Sequence, residues 1–330
     1  MVEDDRTLAG LLLRHPVRAG LVGDSPALTG LFQQIQALAG VDIPVMILGE
    51  IGSGKENAAR ALHLNSLRSR GPFVVESGAA LRGALVQRHL FGHTRGAFTG
   101  ATSNVPGLLD TVDGGTLYLD EVAEISPECQ ALLLRVLKTG EYRPLGSPYA
   151  RKSVFRLVSS TSCNLAALVG SGLFRRDLFY RLRAAVLQVP PLRDRRSDIP
   201  ALADQVIRET SAHGERRGGR PVFTPEAEDA LREHDWPGNV RELRNELLQA
   251  IALSDGKPIS ARSFRFLRER VPNGPHESAR PRTLKHRIDA VEAGAIREVL
   301  KETGGNKAEA ARRLGMTRRT LYRRLKRLRS

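Results

Sequence analysis

The chain has 330 residues, of which 41% are hydrophobic, and a formal net charge of +15. That length allows about two or three domains with real cores. No apolar run approaches the roughly 20 residues a bilayer span requires, and the Leu11–Leu13 patch is too short for a signal peptide. Cys129 and Cys163 are the only cysteines, which excludes a disulfide framework or zinc centre and predicts reduced thiols in the cytoplasm.

In chain order, residues 1–20 predict a short mobile lead-in. Over 21–190, apolar runs alternate with helical stretches. The runs are Val45–Leu48, Phe73–Val75, Thr116–Leu119 and Phe155–Val158; the helical stretches include Asn57–Leu67 and Pro127–Lys138. This alternation predicts a parallel α/β sheet covered by helices. Residues 191–255 read as a small all-helical domain with helices at Ile199–Thr210, Pro225–Glu233 and Val240–Leu253. Residues 256–282, rich in Pro, Gly, Ser and Arg, read as a linker with some local helix, and 283–330 as helical again.

Gly49-Glu50-Ile51-Gly52-Ser53-Gly54-Lys55 lies between the first strand and a helix. Glycines let backbone N–H groups curl around phosphates, the helix N-terminus adds partial positive charge, and Lys55 supplies a point charge for the β- and γ-phosphates. Glu56 stands where the strict motif has Ser or Thr. Downstream, Gly96-Ala97-Phe98-Thr99-Gly100-Ala101 holds Phe98 and Thr99 between glycines, which marks either a packed turn or a contact surface. The strand Thr116–Leu119 then ends in Asp120-Glu121. Beside a phosphate loop this places Asp120 on Mg2+, directly or through water, and Glu121 near the attacking water as general base.

Residues 281–330 carry fifteen Lys/Arg against five Asp/Glu, +10 of the chain's +15, the mark of a separate nucleic-acid module. Asn306 is an N-cap candidate for a helix Lys307–Leu314, Gly315-Met316 makes a turn, and a second helix repeats Leu321, Leu325 and Leu328 on one face with arginines elsewhere. That is a helix-turn-helix pattern. Thr317, Arg318, Arg319, Tyr322 and Arg323 are the candidate contacts to double-stranded DNA. An upstream helix, Leu284–Leu300, presents an apolar face for dimerisation.

Six motifs in order resemble the AAA+ domain of sigma-54-dependent activators, the bacterial enhancer-binding proteins. They are Leu21–Pro26, Gly49–Glu56, Leu90–His93 with Gly96–Ala101, Glu124–Ser126 with Leu132–Leu137 leading to a second surface loop at about Thr139–Tyr149, Phe174–Leu182 and Trp236–Leu243. Residues 304–315 resemble the Fis-type helix-turn-helix that ends this family. The resemblance implies an α/β AAA+ P-loop sheet sandwiched by helices, a helical lid, and a C-terminal DNA-binding domain. It implies ATP and Mg2+ as ligands, with Gly49, Glu50, Gly52, Ser53, Gly54, Lys55, Glu56, Asp120 and Arg241 binding them. Glu121 with Arg175 and Arg181 would be catalytic, the two arginines reaching a neighbouring subunit's γ-phosphate. Taken alone, these two arginines and Arg241 read as solvated surface charges. Phe98 and Thr99 would contact sigma-54 polymerase.

Two departures stand out. The family usually has Asn-Cys where this chain has Ser77-Gly78, and that Asn is thought to hold the catalytic Glu inactive until the site is ready. It usually has Ala-Thr-Asn where this chain has Ser160-Thr161-Ser162. A third is Thr94, often Glu in the family. The expectation is an activator working as a hexamer, alone or mixed with a paralogue, in the bacterial cytoplasm. Regulation would come from expression level, a paralogue or a protein in trans, because twenty residues cannot fold into a sensor domain. The alternative is a DNA-binding regulator or repressor that keeps the AAA+ fold with weak or no hydrolysis. An AAA+ remodeller of some other protein is disfavoured by the DNA module.

Overall fold

The computed structural model describes residues 18–83, 85–212, 221–254, 257–268, 303, 306–313 and 321. The chain divides into two compact units, Met1–Arg268 and Glu269–Ser330.

In the first unit, helix α1 (Pro26–Ala39) leads to β1 (Val45–Leu48), α2 (Lys55–Leu64) and β2 (Phe73–Ser77). Then come α3 (Val86–Phe91), α4 (Leu108–Thr111), β3 (Thr116–Asp120) and α5 (Pro127–Thr139). A hairpin, β4 (Glu141–Tyr142) and β5 (Arg151–Lys152), precedes β6 (Arg156–Thr161), α6 (Leu165–Gly170), α7 (Arg176–Leu182) and β7 (Ala185–Gln188). The five long strands pair in parallel in the order β2-β3-β6-β1-β7. Side chains of successive strand residues alternate between faces. Met46, Leu117, Leu119 and Leu157 accordingly join one core with α3, α4, α5 and α7, while Val45, Ile47, Tyr118 and Val158 join another with α1 and α2.

The α/β sheet forms as the sequence predicts, with one strand more. Ala185–Gln188 pairs with β1 at the sheet edge; only three apolar residues carry it, too few to stand out before pairing.

Helices α8 (Ile199–Ala212), α9 (Pro225–Glu233) and α10 (Asn239–Leu253) pack around Trp236, fully buried, whose indole N–H donates to Leu231 O at 2.8 Å. Ile259 and Phe264 are also fully buried in this core, so the lid continues past residue 255 into the stretch read as linker. Their isolation among polar residues hides them from a periodicity argument. A short helix, α11 (Arg265–Arg268), follows.

In the second unit, α12 (Lys307–Arg313) starts where expected, with Glu309 N–H donating to Asn306 Oδ1 at 3.3 Å, and Ala310, Ala311 and Leu321 are buried. The expected helix Leu284–Leu300 and the candidates Thr317, Arg318, Arg319, Tyr322 and Arg323 lie outside the described residues.

Arg156 ties the sheet to α1. Its buried guanidinium donates to Leu38 O (2.8 Å), Ala39 O (3.3 Å) and Ile43 O (3.3 Å), completing carbonyls at and just beyond the helix C-terminus. Removing it orphans buried acceptors. Arg156→Ala is expected to cost about 3 kcal/mol, read as a lower urea midpoint at unchanged slope.

Candidate nucleotide site

Strands β1, β6 and β3 lie side by side and end level: Leu48 pairs with Thr161, and Leu119 with Ser159. Whatever follows each strand therefore meets at one edge of the sheet, the usual ligand position in such folds. Residues of these three segments and of α10 line a cleft of about 490 Å³. Its walls include Gly52, Gly54, Lys55, Glu56, Asp120, Glu121, Ser162 and Arg241.

The phosphate loop takes its shape from glycine. Gly52 and Gly54 adopt φ of +74° and +101°, and a Cβ on Gly52 would lie 2.2 Å from Gly238 O. Gly54 caps α2 with no side-chain hydrogen bond, which leaves first-turn N–H groups facing the cleft for an anion. Lys55 is almost wholly buried. Its ammonium, a three-proton donor, contacts Gly49 O (3.1 Å), Glu50 O (3.3 Å) and Glu121 Oε1 (3.0 Å).

Asp120 and Glu121 are fixed by their neighbours. Tyr118 OH (2.9 Å) and Ser160 Oγ (2.5 Å) both donate to Asp120 Oδ1. Burial pushes the Tyr118 phenol well above its ordinary pKa, so it stays a donor. A hard carboxylate oxygen suits Mg2+, which typically takes one or two carboxylates together with substrate phosphates. The described residues contain no cluster of three or more His, Cys, Asp or Glu able to cage a metal alone. Glu121 sits at φ +49°, and its N–H donates to Ser160 Oγ at 3.2 Å. Its Oε2 accepts from Ser162 N–H (2.9 Å) and Ser162 Oγ (3.0 Å).

The remaining expected residues divide. Arg241 lines the cleft with no hydrogen bond or ion pair among the described residues. Glu56 lines it too but pairs with Arg60 at 3.2 Å, so its backbone N–H rather than its carboxylate is what can serve a phosphate. Gly49 and Ser53 form the loop without lining the cleft. Glu50 points elsewhere: its carboxylate takes Arg193 bidentately (2.7 and 2.8 Å) and Asn239 Nδ2 (3.1 Å), which makes it a brace to the lid. Arg175 pairs with Asp177 at 3.0 Å and Arg181 donates to Leu137 O at 2.8 Å, both on the surface and away from this chain's own cleft. Surface pairs of this kind exchange readily.

Sequence reasoning missed the lid's grip on the loop. Asn239, fully buried at φ +55°, donates to Ile51 O (3.1 Å) and accepts from Leu192 N–H (2.7 Å). Arg195 donates to Ser53 O at 2.7 Å from a buried position. Asp198 receives Asp24 N–H, Ser25 N–H and Ser25 Oγ, at 2.7–2.9 Å, and so fixes the start of α1. The Trp-Pro-Gly-Asn turn was the one available signal, and it assigned no role to the Asn.

The Phe98 loop rises from a closed stem. His93 and Val105 exchange backbone hydrogen bonds at 2.9 Å, and a Cβ on Gly107 would meet Gly92 N at 2.3 Å. Gly96 (+83°) and Gly100 (+95°) turn the tip. Thr99 is exposed, and the Phe98 ring, 37% exposed, leans on His93 (4.9 Å) and under Arg88 (5.6 Å). The ring is packed on one side and exposed on the other, so the packed-turn reading holds in part.

Family profiles match in the same order as these parts. Residues 21–188 match the Sigma-54 interaction domain, 193–280 the AAA+ ATPase lid domain, and 287–328 the Fis family of bacterial regulatory proteins. The chain is 44% identical over 312 residues to the transcriptional regulatory protein ZraR of Klebsiella oxytoca, covering 93% of this chain and 69% of that one. It is 38% identical over 324 residues to the nitrogen fixation protein AnfA of Azotobacter vinelandii, 98% of this chain and 60% of that one. The crystal structure of NtrX from Brucella abortus in complex with ATP superposes with a TM-score of 0.67 at 33% identity, over 97% of this chain and 73% of that one. With three family models matched in order between residues 21 and 328, the chain belongs to the sigma-54-dependent transcriptional activators, built from an AAA+ domain, its lid and a Fis-type DNA-binding domain.

Proposed function

We propose that this activator binds ATP with Mg2+ in the cleft, hydrolyses it between subunits of a ring, and uses the Phe98–Thr99 loop to drive sigma-54 polymerase to the open complex. The observation that carries this reading is the convergence of Lys55, Asp120, Glu121 and Arg241 on one cleft. Loop and helix N–H groups with Lys55 bind phosphate; Asp120 would hold Mg2+, which would supply positive charge beside the phosphates; Glu121 orients and deprotonates water.

Arg175 and Arg181 act on a neighbouring subunit. They stand on the surface outside their own cleft, so no subunit alone has a complete site. A ring of such subunits, probed as a hexamer, makes activity depend on assembly. Promoter attachment falls to the +10 C-terminal segment, whose arginines suit phosphate and base contacts, with Thr317, Arg318, Arg319, Tyr322 and Arg323 as the contact set. The domain division 21–190, lid, linker, 283–330 is retained with the lid carried to Phe264. A DNA-bound regulator of the bacterial cytoplasm, assembled with itself or a paralogue and answering to a protein in trans, fits this construction.

Lys55→Ala is expected to abolish binding of a fluorescent ATP analogue; full retained affinity overturns the site. In an open-complex assay on a pre-melted promoter with sigma-54 polymerase, Thr99→Ala should keep its ATPase rate yet lose activation, whereas loss of both makes Thr99 structural. Arg175→Ala and Glu121→Gln should each lower ATPase by about 10³-fold or more. Mixing the two inactive proteins should restore measurable turnover, because one subunit supplies the intact cleft and the other the arginine. A mixture that stays dead refutes action across the interface.

A further inference from the structure

The group that holds the catalytic glutamate is displaced in this chain. Ser77 occupies the position where the family has its Asn, but its hydroxyl accepts from Ala79 N–H at 3.3 Å and makes no hydrogen bond to Glu121. In the strand register Ser77 lies opposite Asp120, one residue short of Glu121. The turn after it comes too close for a larger neighbour: a Cβ on Gly78 would lie 2.3 Å from Glu121 O. Glu121 is instead gripped from the other side of β3, at the end of β6, where Ser162 gives two hydrogen bonds to the same oxygen, Oε2. Its other oxygen, Oε1, pairs with Lys55.

These two holds differ in kind. Lys55 donates to two carbonyls of its own loop and forms an ion pair with Glu121. A phosphate chain in the loop draws the ammonium to its own oxygens, and Glu121 is the partner with which it can exchange. Ser162 has no hydrogen bond to the loop among the described residues, so its grip on Oε2 does not depend on where Lys55 turns. Two charge-assisted donors from one residue fix both the position and the direction of the carboxylate.

We propose that Ser162, and not Ser77, is the positioning residue for Glu121 in this protein, retaining the carboxylate for water activation as bound nucleotide takes Lys55 from it. This rests on the ATPase reading above. Ser162 is exposed, so its substitution leaves the core untouched.

The test is steady-state ATPase and fluorescent ATP-analogue affinity on the full chain. Ser162→Ala should lower kcat about 10-fold, the size of one lost hydrogen bond to a charged group, while KM changes less than about 3-fold. Ser162→Thr, which keeps the hydroxyl, should restore kcat, and Ser77→Ala should leave kcat within about 2-fold of the parent. Equal losses from Ser77→Ala and Ser162→Ala, or a neutral Ser162→Ala, overturn the proposal.

A double-mutant cycle on affinity reads the same contact without turnover. Ser162→Ala should shift analogue affinity by about 2-fold in the parent, within the KM limit above, but not in the Glu121→Ala background, which removes the accepting oxygen, and Ser77→Ala should show no such coupling. If the parent hydrolyses no ATP while this coupling is present, the ATPase reading fails and the Ser162 grip stands. If coupling is absent, the grip fails whatever the turnover.

Discussion

The level pairing of β3, β6 and β1 is the constraint on which the site depends. Parallel register brings Asp120, Thr161 and Leu48 to one edge, so three segments distant in sequence deliver a carboxylate pair, a hydroxyl pair and a phosphate loop to the same cleft. A slip of one residue would turn every β3 side chain to the opposite face, sending Tyr118 into the wrong core and Asp120 away from Ser160. Burial on both sides of β3 makes such a slip expensive: Leu117, Tyr118 and Leu119 are all fully enclosed.

A second set of contacts joins this edge to the lid. Glu50, Ile51, Gly52 and Ser53 are each held by a lid or lid-entry residue: Arg193 and Asn239, Asn239, Val240 and Arg195. The phosphate loop is thus clamped from behind, through its carbonyls and the Glu50 carboxylate. Any motion of the lid is felt at the loop through short hydrogen bonds, and Arg241 extends from the same helix into the cleft. Loop geometry and lid position form one mechanical unit, with the Phe98 loop standing on its own closed stem elsewhere on the domain.

Much of this was legible beforehand. The strands at Val45–Leu48 and Thr116–Asp120, the helix Pro225–Glu233 and the Asn306 cap follow from local chemistry: apolar runs, Pro at a helix start, an Asn side chain near free N–H groups. The edge strand Ala185–Gln188 and the buried pair Ile259 and Phe264 were not legible, because each owes its state to what it packs on. The same holds for Glu50, a loop residue by sequence and a lid brace in space.

Sequence alone determined the ingredients: glycines that can turn a loop, a lysine behind them, two carboxylates closing a strand, a Phe between glycines, a basic C-terminal segment. These are local, so residue type and spacing suffice. Tertiary structure alone decided which donor meets which acceptor. Ser77 and Ser162 are the same residue type at the ends of the two strands that flank β3, yet only Ser162 reaches Glu121, because the carboxylate turns to the β6 side while the Ser77 hydroxyl accepts from Ala79 N–H.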